Sequence, residues 1–114
     1  MKVVISGDRY WDNQELENKM TNLFKTFDEN TTIIHGQCIG VDMCADRLAK
    51  QFGFLVISYP SNWKKFGKAA GPIRNKEMLD MGDVVYCFHQ HIETSKGTKD
   101  MMKQAKEKEC ILIK

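Results

Sequence analysis

Short apolar runs lie at residues Lys2–Ser6, Thr31–His35, Phe54–Ser58, Val84–Phe88 and Cys110–Ile113. Runs of about five residues without polar alternation predict strands covered on both faces, the habit of parallel sheets. The intervals between them carry a different period. Leu16, Met20, Leu23, Phe24 and Phe27 form one helical stripe, and Val41, Cys44, Ala45, Leu48, Ala49 and Phe52 form another. Thr98, Met101, Met102 and Ala105 repeat the pattern near the end. Each stripe can cover one face of a sheet. Asp12 with Glu15 three residues on predicts the start of the first helix, and Pro72 that of the third.

The resulting order, β-α-β-α-β-α-β-α-β, predicts an α/β fold: a Rossmann-like, doubly wound parallel sheet of about five strands with helices on both faces. No repeat, linker or low-complexity tract divides the chain, so residues 1–114 are expected to form a single domain. Ligands of such sheets bind beyond the carboxyl ends of the strands. The chemistry is therefore sought in four loops at one edge.

Composition changes this picture little. Hydrophobic residues at 42% and charged residues at 28% exclude a disordered chain. A net charge of +2 neither demands nor excludes a nucleic-acid partner. No stretch approaches the roughly 20 apolar residues of a membrane span, and the first apolar run is too short for a signal peptide. Cys38, Cys44, Cys87 and Cys110 include no C-x-x-C pair. Reduced thiols in a cytoplasmic protein are expected. A zinc site drawn from His35, Cys38 and Cys44 fits no common spacing, so neither metal nor cofactor is expected.

The first loop, Ser6-Gly7-Asp8-Arg9-Tyr10-Trp11-Asp12, pairs a turn glycine, Gly7, with an anion-clamping fork, Arg9. In the second, Gly36 and Gly40 lead into a helix that begins near Asp42, an arrangement suited to an anion. Neither G-x-G-x-x-G nor a P-loop is present. The third and longest loop interleaves Trp63 and Phe66 with Lys64, Lys65 and Lys68, a pattern able to stack a base and neutralise phosphate. Arg74 and Asn75 are expected in the first turn of the following helix. The fourth holds His89 and His91, and offers Ser95, Lys96, Gly97 and Thr98 at a helix entry. Surface or supporting roles are the expectation for the two histidines.

Together, Gly7-x-Arg9, His35-Gly36 through Gly40-Val41-Asp42-x-x-Ala45, Tyr59-Pro60-x-x-Trp63, Ala70-Gly71-Pro72-x-Arg74-Asn75-x-x-Met78 and Gly97-Thr98-x-Asp100-Met101 resemble the YspA-like, YpsA-related branch of the SLOG superfamily. Its relatives include the LOG cytokinin-activating phosphoribohydrolases and the DprA/Smf proteins. The resemblance spans nearly the whole chain, and its Ala-Gly-Pro-x-Arg-Asn element is the most specific. It implies a Rossmann-like sheet with a pocket for nucleotides or nucleotide-derived signals. LOG enzymes cleave the N-glycosidic bond of nucleoside monophosphates with an Arg and with a Glu from a Pro-Gly-Gly-x-Gly-Thr-x-x-Glu motif. Here Glu93-Thr94-Ser95 stands where Pro-Gly-Gly would be, and Met101 stands where that Glu would be. A thioether cannot move a proton.

The expected function is therefore binding of a nucleotide-derived small molecule, as a sensor or sequestering module, through Gly7, Arg9, Gly36, Gly40, Asp42, Trp63, Arg74, Asn75, Ser95, Lys96, Gly97 and Thr98. Arg74 with Gly97-Thr98 is the expected phosphate end. One alternative is a hydrolase of nucleotide N-glycosidic or phosphoester bonds, with Asp42 or Asp100 (otherwise Asp8 or Glu93) as the acid/base group. Another is single-stranded nucleic-acid binding, by analogy with DprA. A homodimer is expected from a surplus of methionines, Met78, Met81, Met101 and Met102, on two helices.

Overall fold

Five β-branched and aromatic runs pair side by side in the computed structural model, which describes residues 1–114. They are β1 (Lys2–Gly7), β2 (Thr32–His35), β3 (Leu55–Ser58), β4 (Val84–Phe88) and β5 (Glu109–Ile113). All four pairings are parallel, in the order β3-β2-β1-β4-β5. Val3 lies beside Ile33 on one side and Val84 on the other, which places β1 at the centre. Val3, Val4 and Ile5 are fully buried, as a strand covered on both faces requires.

Helices α1 (Gln14–Phe24) and α2 (Val41–Phe52) cover one face. Leu16, Met20 and Phe24 of α1 meet Cys44, Ala45, Leu48 and Ala49 of α2 above Val3, Ile5 and Ile33. The opposite face is closed by α4 (Ala70–Met81) and α5 (Gly97–Gln104), whose Met78, Leu79 and Met101 pack on Val4, Ile34, Val85 and Cys87. The sheet is thus doubly wound, as the alternating periods predict. A four-residue helix, α3 (Trp63–Phe66), and a 3-10 turn at Gly67–Ala69 occupy the long β3–α4 connection. No helix is long and apolar enough to cross a membrane.

Several local expectations are corrected. The first helix is capped by Asn13 rather than Asp12: the Asn13 carboxamide oxygen accepts the Leu16 N–H at 3.0 Å and also the indole N–H of Trp11. Burial of Trp11 draws the cap one residue along the chain. Helix α1 ends at Phe24, and Phe27 reaches the core from the turn beyond it, stacked near Tyr86. The third major helix opens at Ala70, two residues before Pro72. Pro72 still lies among the first-turn positions whose N–H groups have no partner within the helix. Arg74 and Asn75 consequently fall past that first turn. Met78 and Met101 belong to the core, while Met102 is half-buried and Met81 is exposed.

Because every strand runs the same way, the loops after β1, β2, β3 and β4 all emerge at one edge. The strand order reverses between β1 and β4.

Candidate functional site

In the loop after β2, three successive backbone N–H groups, of Gly36, Gln37 and Cys38, are satisfied by buried side chains. Asp42, on the first turn of α2, is only 6% exposed, and one of its carboxylate oxygens accepts the N–H groups of both Gly36 (3.0 Å) and Cys38 (3.2 Å). His35, 1% exposed, accepts the Gln37 N–H at Nδ1 (3.0 Å), so its proton sits on Nε2, 2.9 Å from Asp46. Asp46 is in turn 2.8 Å from Lys50. The Arg74 guanidinium donates to the Gly36 carbonyl at 2.7 Å and the Tyr59 carbonyl at 3.4 Å, joining the loops after β2 and β3. Gln37 is held at a φ of 60°, a conformation uncommon outside glycine.

Two glycines are required by this packing. Gly40 caps α2 at φ 77°, and a Cβ there would lie 2.5 Å from the backbone of Asp8 and Arg9. At Gly36 a Cβ would run into the Arg74 guanidinium. Gly7 is similarly crowded, against the Phe88 carbonyl and Val41. These three shape the site through backbone approach.

Between the loops after β1, β2 and β3 lies an open cleft of about 320 Å³, lined by Arg9, Gly36, Gln37, Cys38, Ile39, Pro60, Ser61 and Trp63. Arg9 is exposed and Trp63 is 61% exposed, so both are free at its rim. Behind its wall the Arg74 cation lies close enough to Asp42 to act on its carboxyl. Burial pushes the Asp42 carboxyl above its usual range, while the Cys38 and Gly36 N–H groups and the Arg74 cation pull it back. Asp46 is held below its usual range: desolvation opposes this, but hydrogen bonds from Lys50 and His35 prevail.

The remaining candidates gather beside the cleft. Asn75, 2% exposed, accepts from Arg74 Nε (3.1 Å) and donates to the Gly97 carbonyl (3.3 Å) and to Asp100 (3.0 Å). Gln104 donates to the same Asp100 oxygen at 2.7 Å. Arg74 and the start of α5 are thus connected through Asn75. Thr98 is buried, and its N–H is capped by Ser95 Oγ at 3.0 Å. Lys96 and Gly97 are exposed, with open space at Gly97. None of Ser95, Lys96, Gly97 and Thr98 lines the cleft. Met101 is buried in the core.

His89 repeats the arrangement of His35: Nδ1 accepts the His91 N–H at 3.0 Å and Nε2 lies 4.0 Å from Asp8. His91 is exposed. The sequence reading missed Asp46 altogether. Its signal is the four-residue spacing from Asp42, which puts both carboxylates on one face of α2. Ser61 and Ile39 carry no chemical signature and are found only from the geometry.

Two comparisons bear on this edge. The Gene 61 protein of Mycobacterium phage D29 is 31% identical over 112 residues, covering 93% of this chain and 89% of that protein. No solved structure matches the chain. The model of the YspA, cpYpsA-related SLOG family matches residues 1–66, the half that supplies β1, β2, β3 and every residue lining the cleft. The chain belongs to the YspA, cpYpsA-related SLOG family.

Proposed function

We propose that the cleft binds a nucleotide or nucleotide-derived small molecule, as a sensor or sequestering module. The observation that carries this reading is convergence. Three separate loops bring a free guanidinium (Arg9), a braced backbone (Gly36–Cys38) and an exposed indole (Trp63) around one space of about 320 Å³. That volume lies at the small end of ligand pockets. Trp63 offers a stacking face for a base, Arg9 a bidentate fork for phosphate, and Arg74 a second positive charge behind the wall.

The supporting chemistry favours binding over hydrolysis. Asp42 is committed to two backbone N–H groups, Asp100 to two carboxamides, and Met101 has no proton to give. Calorimetry with adenosine and cytidine monophosphates, followed by chromatography for free base, tests both statements. Arg9→Ala should weaken binding by about 1.5–3 kcal/mol, the range for a charged hydrogen bond, with an unchanged melting temperature. Gly97→Ala, which has room for its methyl group, should bind like the parent. Equal affinity for Arg9→Ala and parent removes Arg9 from the site. Free base released at a catalytic rate removes the binding-module reading.

One observation favours a second reading, a single-stranded nucleic acid. No acidic residue occurs between Asp46 and Glu77, and α3 exposes Trp63 and Phe66 among Lys64, Lys65 and Lys68. Affinity that grows with oligonucleotide length and falls steeply with salt distinguishes it from a mononucleotide site.

A further inference from the structure

We propose that His35 is a positioning residue whose neutral imidazole holds the β2 wall of the cleft, so that the wall loosens and cleft binding is lost on acidification. The affinity half of this inference rests on the nucleotide reading above; the loop half does not.

The two ring nitrogens of His35 have opposite roles. Nε2 keeps its proton and gives it to Asp46 at 2.9 Å, while Nδ1 is an acceptor for the Gln37 N–H at 3.0 Å. Imidazoles gain a second proton within the range of about pH 5–8. For His35 that proton must be added at Nδ1, where it would face the Gln37 N–H head-on. The two cannot coexist, so the Gln37 backbone has to move. Gln37 is the one non-glycine residue held at positive φ, and it lies between Gly36 and Cys38, whose N–H groups are fixed to Asp42. Losing its anchor releases the strained residue in the centre of the wall.

The groups facing His35 come from three elements. Asp46 touches it from α2, with Lys50 beyond. Asp42, also from α2, is the second carboxylate near it, and Arg74 from α4 lies close to Asp42 in turn. From β3, Ser58 pairs with His35 and is uncharged. Protonation is coupled to opening of the loop, and a ligand that needs the closed loop disfavours protonation by the same amount.

The test follows two signals from pH 8 to 5. The first is the amide protection factor and chemical shift of Gln37 in the ligand-free protein. The second is the affinity for adenosine monophosphate. In the parent, Gln37 protection should fall on acidification and affinity should drop by up to about tenfold per pH unit, the limit for a one-proton requirement. His35→Asn places an amide oxygen where Nδ1 stood and cannot titrate, so both profiles should flatten. Asp46→Asn removes the counter-charge of the imidazolium and should move both midpoints to lower pH; it decides the matter if His35→Asn does not fold. His89→Asn, which acts on the other loop, should leave the parent profile in place. Phosphate ionisation of the nucleotide is common to all variants, so only differences between them are read. A Gln37 amide that does not respond in the parent, or an unshifted acid loss in His35→Asn and Asp46→Asn, overturns the proposal. A responding Gln37 without nucleotide binding at any pH upholds the role of His35 and refutes the nucleotide reading instead.

Discussion

Asp42→Ala should lose about 2–5 kcal/mol of stability, because each buried backbone donor deprived of its acceptor costs roughly 1–3 kcal/mol. Two such donors, on Gly36 and Cys38, depend on this one carboxylate oxygen. Urea unfolding measures the loss directly. The variant should also lose cleft binding, since the wall it releases includes Gly36, Gln37 and Cys38. A pH series adds a signed test. Burial raises the Asp42 carboxyl above its unfolded value, so the folded state holds the proton more tightly than the unfolded one. Its contribution is then fullest below the unfolded value and is lost as pH climbs through the folded one. Compared with Asp42→Asn, which cannot ionise, the parent should lose relative stability as pH rises from about 4 towards 7. A stability gap that is flat across this range removes the ionisation argument while leaving the hydrogen-bond one to the alanine variant.

Gly40→Ala is expected to be at least as severe, with a loss of about 3–5 kcal/mol or failure to fold, the size reserved for strain and overlap at one buried position. Its φ of 77° and ψ of −125° suit glycine alone, and the added methyl carbon meets backbone of the β1 loop rather than a side chain able to swing away. Gly53→Ala separates the two causes. Gly53 also has positive φ, at 80°, but nothing lies within 4 Å of its missing Cβ. It should cost only about 1 kcal/mol, the strain alone. Thermal unfolding of the pair checks this, and equal losses at the two positions would remove backbone overlap as the reason for Gly40.

Much of the fold is legible because parallel strands and amphipathic helices write their burial directly into the chain. Val3-Val4-Ile5 has no polar alternation and lies between two helical layers, and the stripe from Val41 to Phe52 reads as the helix it forms. The ends of elements are less legible, since tertiary contacts decide them. Asn13 caps α1 because Trp11 must be buried, and no local rule ranks Asn13 above Asp12. At the site, the glycines and Arg9 are visible as residue types suited to close approach and anions. What residue type hides is commitment. Arg74 reads as a free clamp, yet Gly36, Tyr59 and Asn75 occupy much of its guanidinium, and Asp42 reads as a free acid while it braces a loop. Such uses depend on partners 38, 15 and 6 residues away along the chain, which no spacing motif encodes. Asp46 is the opposite case. It lies 11 residues from His35, and only the four-residue step from Asp42 marks it.

We propose the cleft between the loops after β1, β2 and β3 as the place where a nucleotide-like ligand binds. The most direct measurement is amide and indole chemical-shift mapping of the labelled protein during titration with adenosine monophosphate. Shifts concentrated on Arg9, Gly36, Gln37, Cys38 and the Trp63 indole, saturating together, are the predicted result. Saturable shifts confined to Ser95, Lys96, Gly97 and Thr98, or none up to millimolar nucleotide, would contradict it.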